Sequence, residues 1–165
     1  MLNENDLQGW RTINNESAFQ ISDRILSCSG SNALMIYEGE NGDGQFKNFE
    51  LTAEVKTQRG ANTEILFHAD PGKEPVSKNA YAVQLNNTYR GMEGYPNINM
   101  TGSLNRIRNV YYPMIEDGKW FDLHVKVREN HIQVYVGGEK MVDYVEPVEP
   151  WRPENLKGRV LSEGV

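Results

Sequence analysis

The sequence predicts an all-β domain in which two antiparallel sheets pack as a jelly-roll sandwich of the concanavalin A-like type. Three observations predict it. Apolar residues recur with period two along most of the chain, no stretch keeps a period of 3.6 beyond one turn, and turn-forming residues separate the alternating runs. Many short strands separated by turns are typical of a sandwich or a barrel. We therefore expect few helices.

The run from 49 to 58 has the clearest alternation. Its odd positions are apolar as far as Val55, and its even positions are polar throughout. Seven further runs have the same pattern and are predicted as strands, at 18–21, 34–37, 64–69, 81–86, 120–128, 131–136 and 140–145. Turn signals lie at 39–44, 70–72, 116–118, 128–130 and 137–138.

Composition and charge exclude several classes of protein. A length of 165 residues fits one domain, and we expect residues 1–165 to form it. The net charge of -6 repels a phosphate backbone, so we expect no nucleic-acid partner. No apolar run approaches the length of about 18 residues that crosses a bilayer, so no membrane span is expected. Cys28 is the single cysteine and forms no internal disulfide.

The segment from 87 to 115 lacks sustained alternation and is rich in Asn, Gly, Tyr and Arg. We expect it to be a loop. Long loops in compact domains are usually functional. Four tyrosines in it, Tyr89, Tyr95, Tyr111 and Tyr112, are candidates for the rim of a pocket.

Several predicted strands carry an unusual polar face. Alternation places amides, carboxylates, imidazoles and aromatic rings on it, where an ordinary solvated strand carries mostly charged residues. If these strands are neighbours, their polar faces form one surface. The side chains on that surface are Asn62, Glu64, His68, Gln84, Asn86, Trp120, Asp122, His124 and Tyr135.

This mixture suits a carbohydrate. Sugar hydroxyls need paired hydrogen-bond donors and acceptors, while the C–H face of a pyranose stacks on an aromatic ring. We therefore expect an oligosaccharide or disaccharide ligand. The alternative is that these are the solvated sides of ordinary antiparallel strands.

Short phrases in order along the chain resemble the 3-keto-disaccharide hydrolase domain family, a concanavalin A-like jelly roll. They are LQGW at 7–10, NFEL at 48–51, GAN at 60–62, YAVQL at 81–85, TG at 101–102, GKW at 118–120 and VYVGG at 134–138. The resemblance implies a glycoside hydrolase that acts on 3-keto-disaccharides and is exported to the periplasm or cell surface. We expect no cofactor, although calcium or another divalent metal is possible.

The chain departs from the family pattern in two places that matter. Ala82 stands where the family usually has Glu before the Val-Gln pair. The family's closing strand, with a Gln-x-His phrase, has no counterpart before Val165, so we expect the domain to lack its final strand.

The resemblance and the polar face together suggest roles. Oxidation at C3 acidifies the C2 hydrogen of a sugar, so one general base can start elimination of the glycosidic oxygen. We expect Glu64 or His68 to be that base. Asn62 and Gln84 are expected to hold sugar hydroxyls, and Trp120 to stack on the ring. Asn86, Tyr89, Asp122, His124 and Tyr135 complete the predicted substrate-binding set.

Metal binding is a weaker expectation. Glu64, His68 and His124 are a possible set for a divalent metal, and the acidic turn at 40–43 is a possible calcium loop, although a solvated hairpin is the ordinary interpretation of such a turn. We assign no metal ligand. Two non-catalytic alternatives stay open: a carbohydrate-binding module on the same scaffold and a protein-binding sandwich.

Overall fold

The structure is a computed structural model that describes residues 6–31, 33–39, 44–70, 72, 75–92 and 95–161. The predicted calcium turn at 40–43 lies outside these residues. The chain divides into two compact units, residues 1–45 and 46–165, and each is described by itself. That all of 1–165 forms one domain stays a prediction.

The first unit contains two antiparallel strand pairs. β1 (Trp10–Ile13) pairs with β4 (Leu34–Tyr37), and β2 (Phe19–Ser22) pairs with β3 (Ile25–Cys28). Asp23 and Arg24 join β2 to β3 with φ angles of 52° and 65°, which is the geometry of a two-residue hairpin turn of type I′. The rings of Trp10 and Tyr37 lie 5.0 Å apart across the first pair.

The second unit contains a four-stranded antiparallel sheet in the order β12-β11-β10-β5. Its strands are β5 (Phe49–Lys56), β10 (Trp120–Arg128), β11 (His131–Val136) and β12 (Glu139–Val145). β10 lies next to β5 because their alternating patterns pair in register, Trp120 with Lys56 through Val127 with Phe49. The predicted strands at 120–128 and 131–136 are confirmed residue for residue.

A second antiparallel pair packs on this sheet. It consists of β6 (Thr63–Phe67) and β7 (Tyr81–Leu85), and a bridge from Val83 to Leu104 extends it. One hydrophobic core fills the space between the pair and the sheet. It includes Phe67, Tyr81, Val83, Leu85, Leu104, Phe121, Leu123, Val125, Val127, Ile132, Val134 and Val136. Apolar faces from both layers therefore meet in one core.

The long segment after β7 folds around buried amides. It contains the short strands β8 (Gly91–Met92) and β9 (Tyr95–Pro96). Asn87 donates from Nδ2 to Thr57 Oγ1 at 2.7 Å and accepts from Thr101 Oγ1 at 2.6 Å. These buried side chains form hydrogen bonds with one another. The segment is therefore held in place although its sequence does not alternate between apolar and polar residues.

The fold is nearly all β, as predicted. The described residues contain no α-helix and three short 3-10 turns, Glu16–Ala18, Val76–Lys78 and Glu154–Leu156. No helix among them is long and apolar enough to cross a membrane.

Candidate functional site

Glu64 and Gln84 lie directly opposite each other on β6 and β7. Side chains at opposed positions share a face, and alternation directs this face away from the core that holds Ile65 and Val83. The next pair on the same face is Leu66 and Ala82. The far face of the β6–β7 pair therefore brings one carboxylate and one amide together beside an apolar patch.

Hydrogen bonds fix these two side chains. Gln84 Nε2 donates to Asn62 Oδ1 and to the Thr63 carbonyl, both at 2.9 Å. Asn105 Nδ2 donates to the Glu64 carboxylate and, at 3.1 Å, to Gln84 Oε1. Gln84 is buried, Glu64 is half-buried and Asn62 is exposed. The network thus holds a carboxylate in a set orientation where one side of it reaches solvent.

Arg159 brings a positive charge to this network. It is 4% exposed, and it donates from Nη1 to the Asn105 carbonyl at 2.8 Å and from Nη2 to the Ser77 carbonyl at 2.7 Å. Burial lowers the pKa of its guanidinium, and the negative charge of Glu64 acts in the opposite sense by favouring the charged form. Glu64 therefore has a buried cation near it.

Two polar atoms of the network are buried without a hydrogen-bond partner among the described residues. They are Asn105 Oδ1, an acceptor, and Arg159 Nε, a donor. Buried polar groups are rarely left unpaired, because each costs about 1–3 kcal/mol.

A buried ion pair anchors the segment that carries Arg159. Arg152 Nη2 donates to Glu146 Oε2 at 3.1 Å and to the hydroxyls of Tyr144 and Tyr81. The other oxygen of Glu146 accepts from the Leu161 amide at 2.8 Å. Burial raises the pKa of Glu146, while the Leu161 amide and Arg152 act to lower it.

Comparison with known families decides the kind of protein. Residues 1–164 match the family described as the 3-keto-alpha-glucoside-1,2-lyase-like domain. The chain belongs to this family. The predicted resemblance is confirmed over essentially the whole sequence.

Solved structures share the fold of this lyase-like domain. One crystal structure of a putative glycosyl hydrolase from Parabacteroides distasonis has a TM-score of 0.68 at 18% identity and matches 94% of this chain and 73% of its own. A second, of the same description and organism, has a TM-score of 0.61 at 17% identity and matches 81% and 71%. No curated protein matches. The family and these folds support a carbohydrate-active protein.

The expectation that all the polar strands of the lyase-like domain form one surface is wrong. Trp120, Asp122, His124 and Tyr135 lie on the solvent side of the four-stranded sheet, here called the outer sheet face. Glu64 and Gln84 lie on the far face of the β6–β7 pair. The two layers bury their apolar faces against each other, so their polar faces must point in opposite directions.

Alternation predicted that His68 lies on the same face as Glu64, and this prediction is also wrong. β6 ends at Phe67, and His68 has a φ of 48°, which breaks the alternation. Its ring is 3% exposed and lies near the rings of Phe49 and Phe67, at centroid distances of 6.4 and 6.1 Å. Nε2 is 3.0 Å from the Lys47 carbonyl. Its environment is that of a core histidine.

Asn86, predicted as the last residue of the strand 81–86, and Tyr89, predicted in the loop, occupy different environments. Asn86 is 0% exposed; its Nδ2 donates to the carbonyls of Tyr89 and Asn99, and its Oδ1 accepts from the Tyr89 amide. It therefore organises the loop and is closed to a ligand. Tyr89 itself is exposed beside it. Tyr111 and Tyr112 are exposed as well, and the side chain of Tyr95 lies outside the described part of the chain.

The possible metal set does not assemble. Glu64, His68 and His124 occupy three separate environments, and the described residues contain no group of three or more His, Cys, Asp or Glu side chains that could hold a metal ion. Asn105 and Arg159 were not predicted from the sequence. Both lie in irregular segments where no periodicity assigns a side chain to a face.

Proposed function

We propose that this lyase-like domain is an enzyme that cleaves 3-keto-disaccharides or related glycosides, with Glu64 as the general base. The observation that carries the proposal is the orientation of the half-buried Glu64 carboxylate by Asn105, on a polar face that Gln84 and Asn62 extend. Membership of a family described as 3-keto-alpha-glucoside-1,2-lyase-like supplies the substrate class.

The reaction needs one base at the start. Glu64 takes the C2 proton, the C–H electron pair forms the C1=C2 double bond, and the C1–O bond breaks. The leaving oxygen takes a proton from solvent, and the ring product is a 3-keto enone. In a hydrolase a water molecule then adds across the double bond. The carbonyl at C3 makes the C2 proton acidic enough for a carboxylate to remove it.

The surrounding residues divide into those that orient and those that bind. Gln84 is buried and uses both Nε2 hydrogens on Asn62 and Thr63, so it positions Asn62. The exposed Asn62 keeps its Nδ2 for a sugar hydroxyl. A free amide donor beside a carboxylate base suits a hydroxyl-bearing ring such as a sugar.

The test is release of glucose from 3-keto-trehalose. We expect turnover by the wild-type chain and a loss of about 100-fold or more in kcat for Glu64→Gln, the range that general-base catalysis contributes. Glu139→Gln is the matched control, because Glu139 is exposed on β12. Turnover of Glu64→Gln within a few-fold of wild type rules out Glu64 as the base.

Ala82 favours a second candidate, a non-catalytic carbohydrate-binding module. It pairs with Leu66 next to the Glu64–Gln84 pair, so that pair of positions brings no second carboxylate to the face. Ordinary glycoside hydrolysis needs a second carboxylate on the other side of the scissile bond. Binding of 3-keto-trehalose by the wild-type chain without turnover selects this candidate.

Three finer statements belong to the same proposal. The packed layers of the second unit are part of a jelly-roll sandwich of the concanavalin A-like type. The protein works in the periplasm or at the cell surface, and it needs no cofactor. The first two follow the resemblance of the sequence phrases to the family, and the third follows from a reaction that a single general base can start. Equal turnover before and after dialysis against a chelator tests the last.

A further inference from the structure

The outer sheet face carries a second polar site, on the opposite side of the core from Glu64. A depression of about 430 Å³ lies on this face. Thr52 and Glu54 of β5, Asp122 and His124 of β10, and Tyr135 of β11 line it, and Gly138 borders it. No side chain of the Glu64 network contributes to it.

Two acidic residues of this face, Glu50 and Asp143, lie next to positively charged side chains. Glu50 lies within 3.4 Å of His124, Lys126 and Arg128. Asp143 accepts from His131, Gln133 and Lys140, and these hydrogen bonds hold the pKa of its carboxyl well below its usual range. The other acidic residues of β5 and β10 are Glu54 and Asp122.

Glu54 and Asp122 are direct cross-strand partners. Two like charges at opposed positions destabilise a sheet. Neither has an ion-pair partner among the described residues, although the rest of this face pairs its acids several times over. A positively charged neighbour could offset the repulsion between these two carboxylates, as it does for Glu50 and Asp143. A destabilising pair that is kept without such a neighbour is typical of a functional site.

Aromatic rings flank the two carboxylates. Tyr135 lies 5.7 Å from His124, ring centroid to ring centroid, on one side. Trp120 is 46% exposed on the other side, with Lys56 Nζ 4.7 Å from its ring. Trp120, Asp122 and His124 follow one another on one face of β10, so the row extends over roughly 13 Å. Such a row suits a ligand of more than one ring.

We propose that this depression is a second glycan-binding site, distinct from the site around Glu64. Two adjacent carboxylates accept hydrogen bonds from neighbouring hydroxyls of a sugar, and the flanking rings pack on its C–H face. The metal alternative lacks a third ligand among the described residues. The ligand class follows the carbohydrate activity proposed above, but the site uses none of the same residues.

The experiment is an NMR titration of the wild-type chain with trehalose, maltotetraose and cellotetraose. We expect at least one sugar to shift the backbone resonances of Asp122, His124 and Tyr135. Glu64→Gln should leave these shifts unchanged. Asp122→Asn and Tyr135→Ala should each weaken this binding about tenfold and leave turnover of 3-keto-trehalose within twofold of wild type.

Thermal unfolding supplies a second measurement. Because Asp122→Asn removes a like-charge contact, we expect it to raise Tm by about 1–2 °C while it weakens sugar binding. The proposal is overturned if none of the three sugars shifts the outer-face resonances, or if Asp122→Asn binds as well as wild type. Loss of turnover in Glu64→Gln with normal outer-face binding leaves the proposal intact, so the two proposals fail separately.

Discussion

Asn105 donates a hydrogen bond from its side-chain amide to the carboxylate of Glu64, a residue 41 positions away in the sequence. The same amide nitrogen donates to Gln84. One side chain from an irregular segment therefore sets the orientation of both polar side chains of the β6–β7 pair.

Replacement of Asn105 by Ala should release the Glu64 carboxylate. We expect kcat on 3-keto-trehalose to fall about 10- to 100-fold, because a small misplacement of a catalytic group costs this much. KM should change less. Asn155→Ala is the control, since Asn155 is exposed near the end of the chain. Side-chain amide resonances of Gln84 that stay unmoved in Asn105→Ala contradict the role given to Asn105.

Replacement of Arg159 by Met should destabilise the fold. Arg159 makes two hydrogen bonds to carbonyls, and hydrogen bonds from a charged group contribute about 1.5–3 kcal/mol each. We expect the free energy of unfolding in urea to fall by roughly 3 kcal/mol, with partial recovery in Arg159→Lys. Lys157→Met, which breaks only an exposed pair with Glu154, should change it by less than about 0.5 kcal/mol. Equal effects of the two Met variants contradict this account.

The pH dependence of stability should include a contribution from Glu146. Burial raises the pKa of its carboxyl in the folded state above the ordinary value of 4.5. Between the two values the folded state binds more protons than the unfolded state, so this group makes stability fall as pH rises from about 4.5. Urea unfolding at several pH values should show this fall in wild type and a flatter profile in Glu146→Gln.

Glu146→Gln should also lower stability at pH 7. A carboxylate accepts on both oxygens, from Arg152 and from the Leu161 amide, whereas Gln has one acceptor oxygen and turns a donor toward a donor. We expect a loss of about 1–3 kcal/mol in the free energy of unfolding. A profile as steep in Glu146→Gln as in wild type assigns the pH dependence to another group.

Gly102 should tolerate no side chain. Its φ is 89°, and an added Cβ would lie 2.8 Å from Met141 Cγ and 2.9 Å from Val136 Cγ2. We expect Gly102→Ala to cost roughly 3 kcal/mol, from backbone strain together with overpacking. Gly60→Ala is the matched control, because Gly60 has a φ of 81° and nothing within 4 Å of the added atom. It should cost only about 1 kcal/mol. Tm values of the two variants measure the difference.

Alternation predicted the strands well because most of them bury one face. β10 and β11 end where the pattern ends, since residues 129–130 and 137–138 form turns. The short strands β1 and β3 were missed, because their sequences WRTI and ILSC neither alternate strictly nor form a continuous apolar run. The predicted strand at 64–69 begins one residue late and extends two residues past the end of β6, because the left-handed backbone of His68 ends the alternation.

The candidate site was predicted only in part. Period two assigns Glu64 and Gln84 to one face of their strands and Trp120 and Asp122 to one face of theirs. It does not say which strands pair, so it could not reveal that the two faces lie on opposite sides of a core. Asn105 and Arg159 reach the site through tertiary packing of irregular segments, which leaves no periodic signal.

One carboxylate holds both ends of the segment from Arg152 to Leu161. Glu146 holds Arg152 at the beginning of this stretch and the Leu161 amide at its end. Loss of the hydrogen bonds to Glu146 would release both ends of the segment together. The amide protons between them should therefore exchange with solvent as a single cooperative unit. Arg159 lies in this segment and would move with it. The Glu64 network therefore depends on Glu146, a residue distant in sequence from both Asn105 and Glu64.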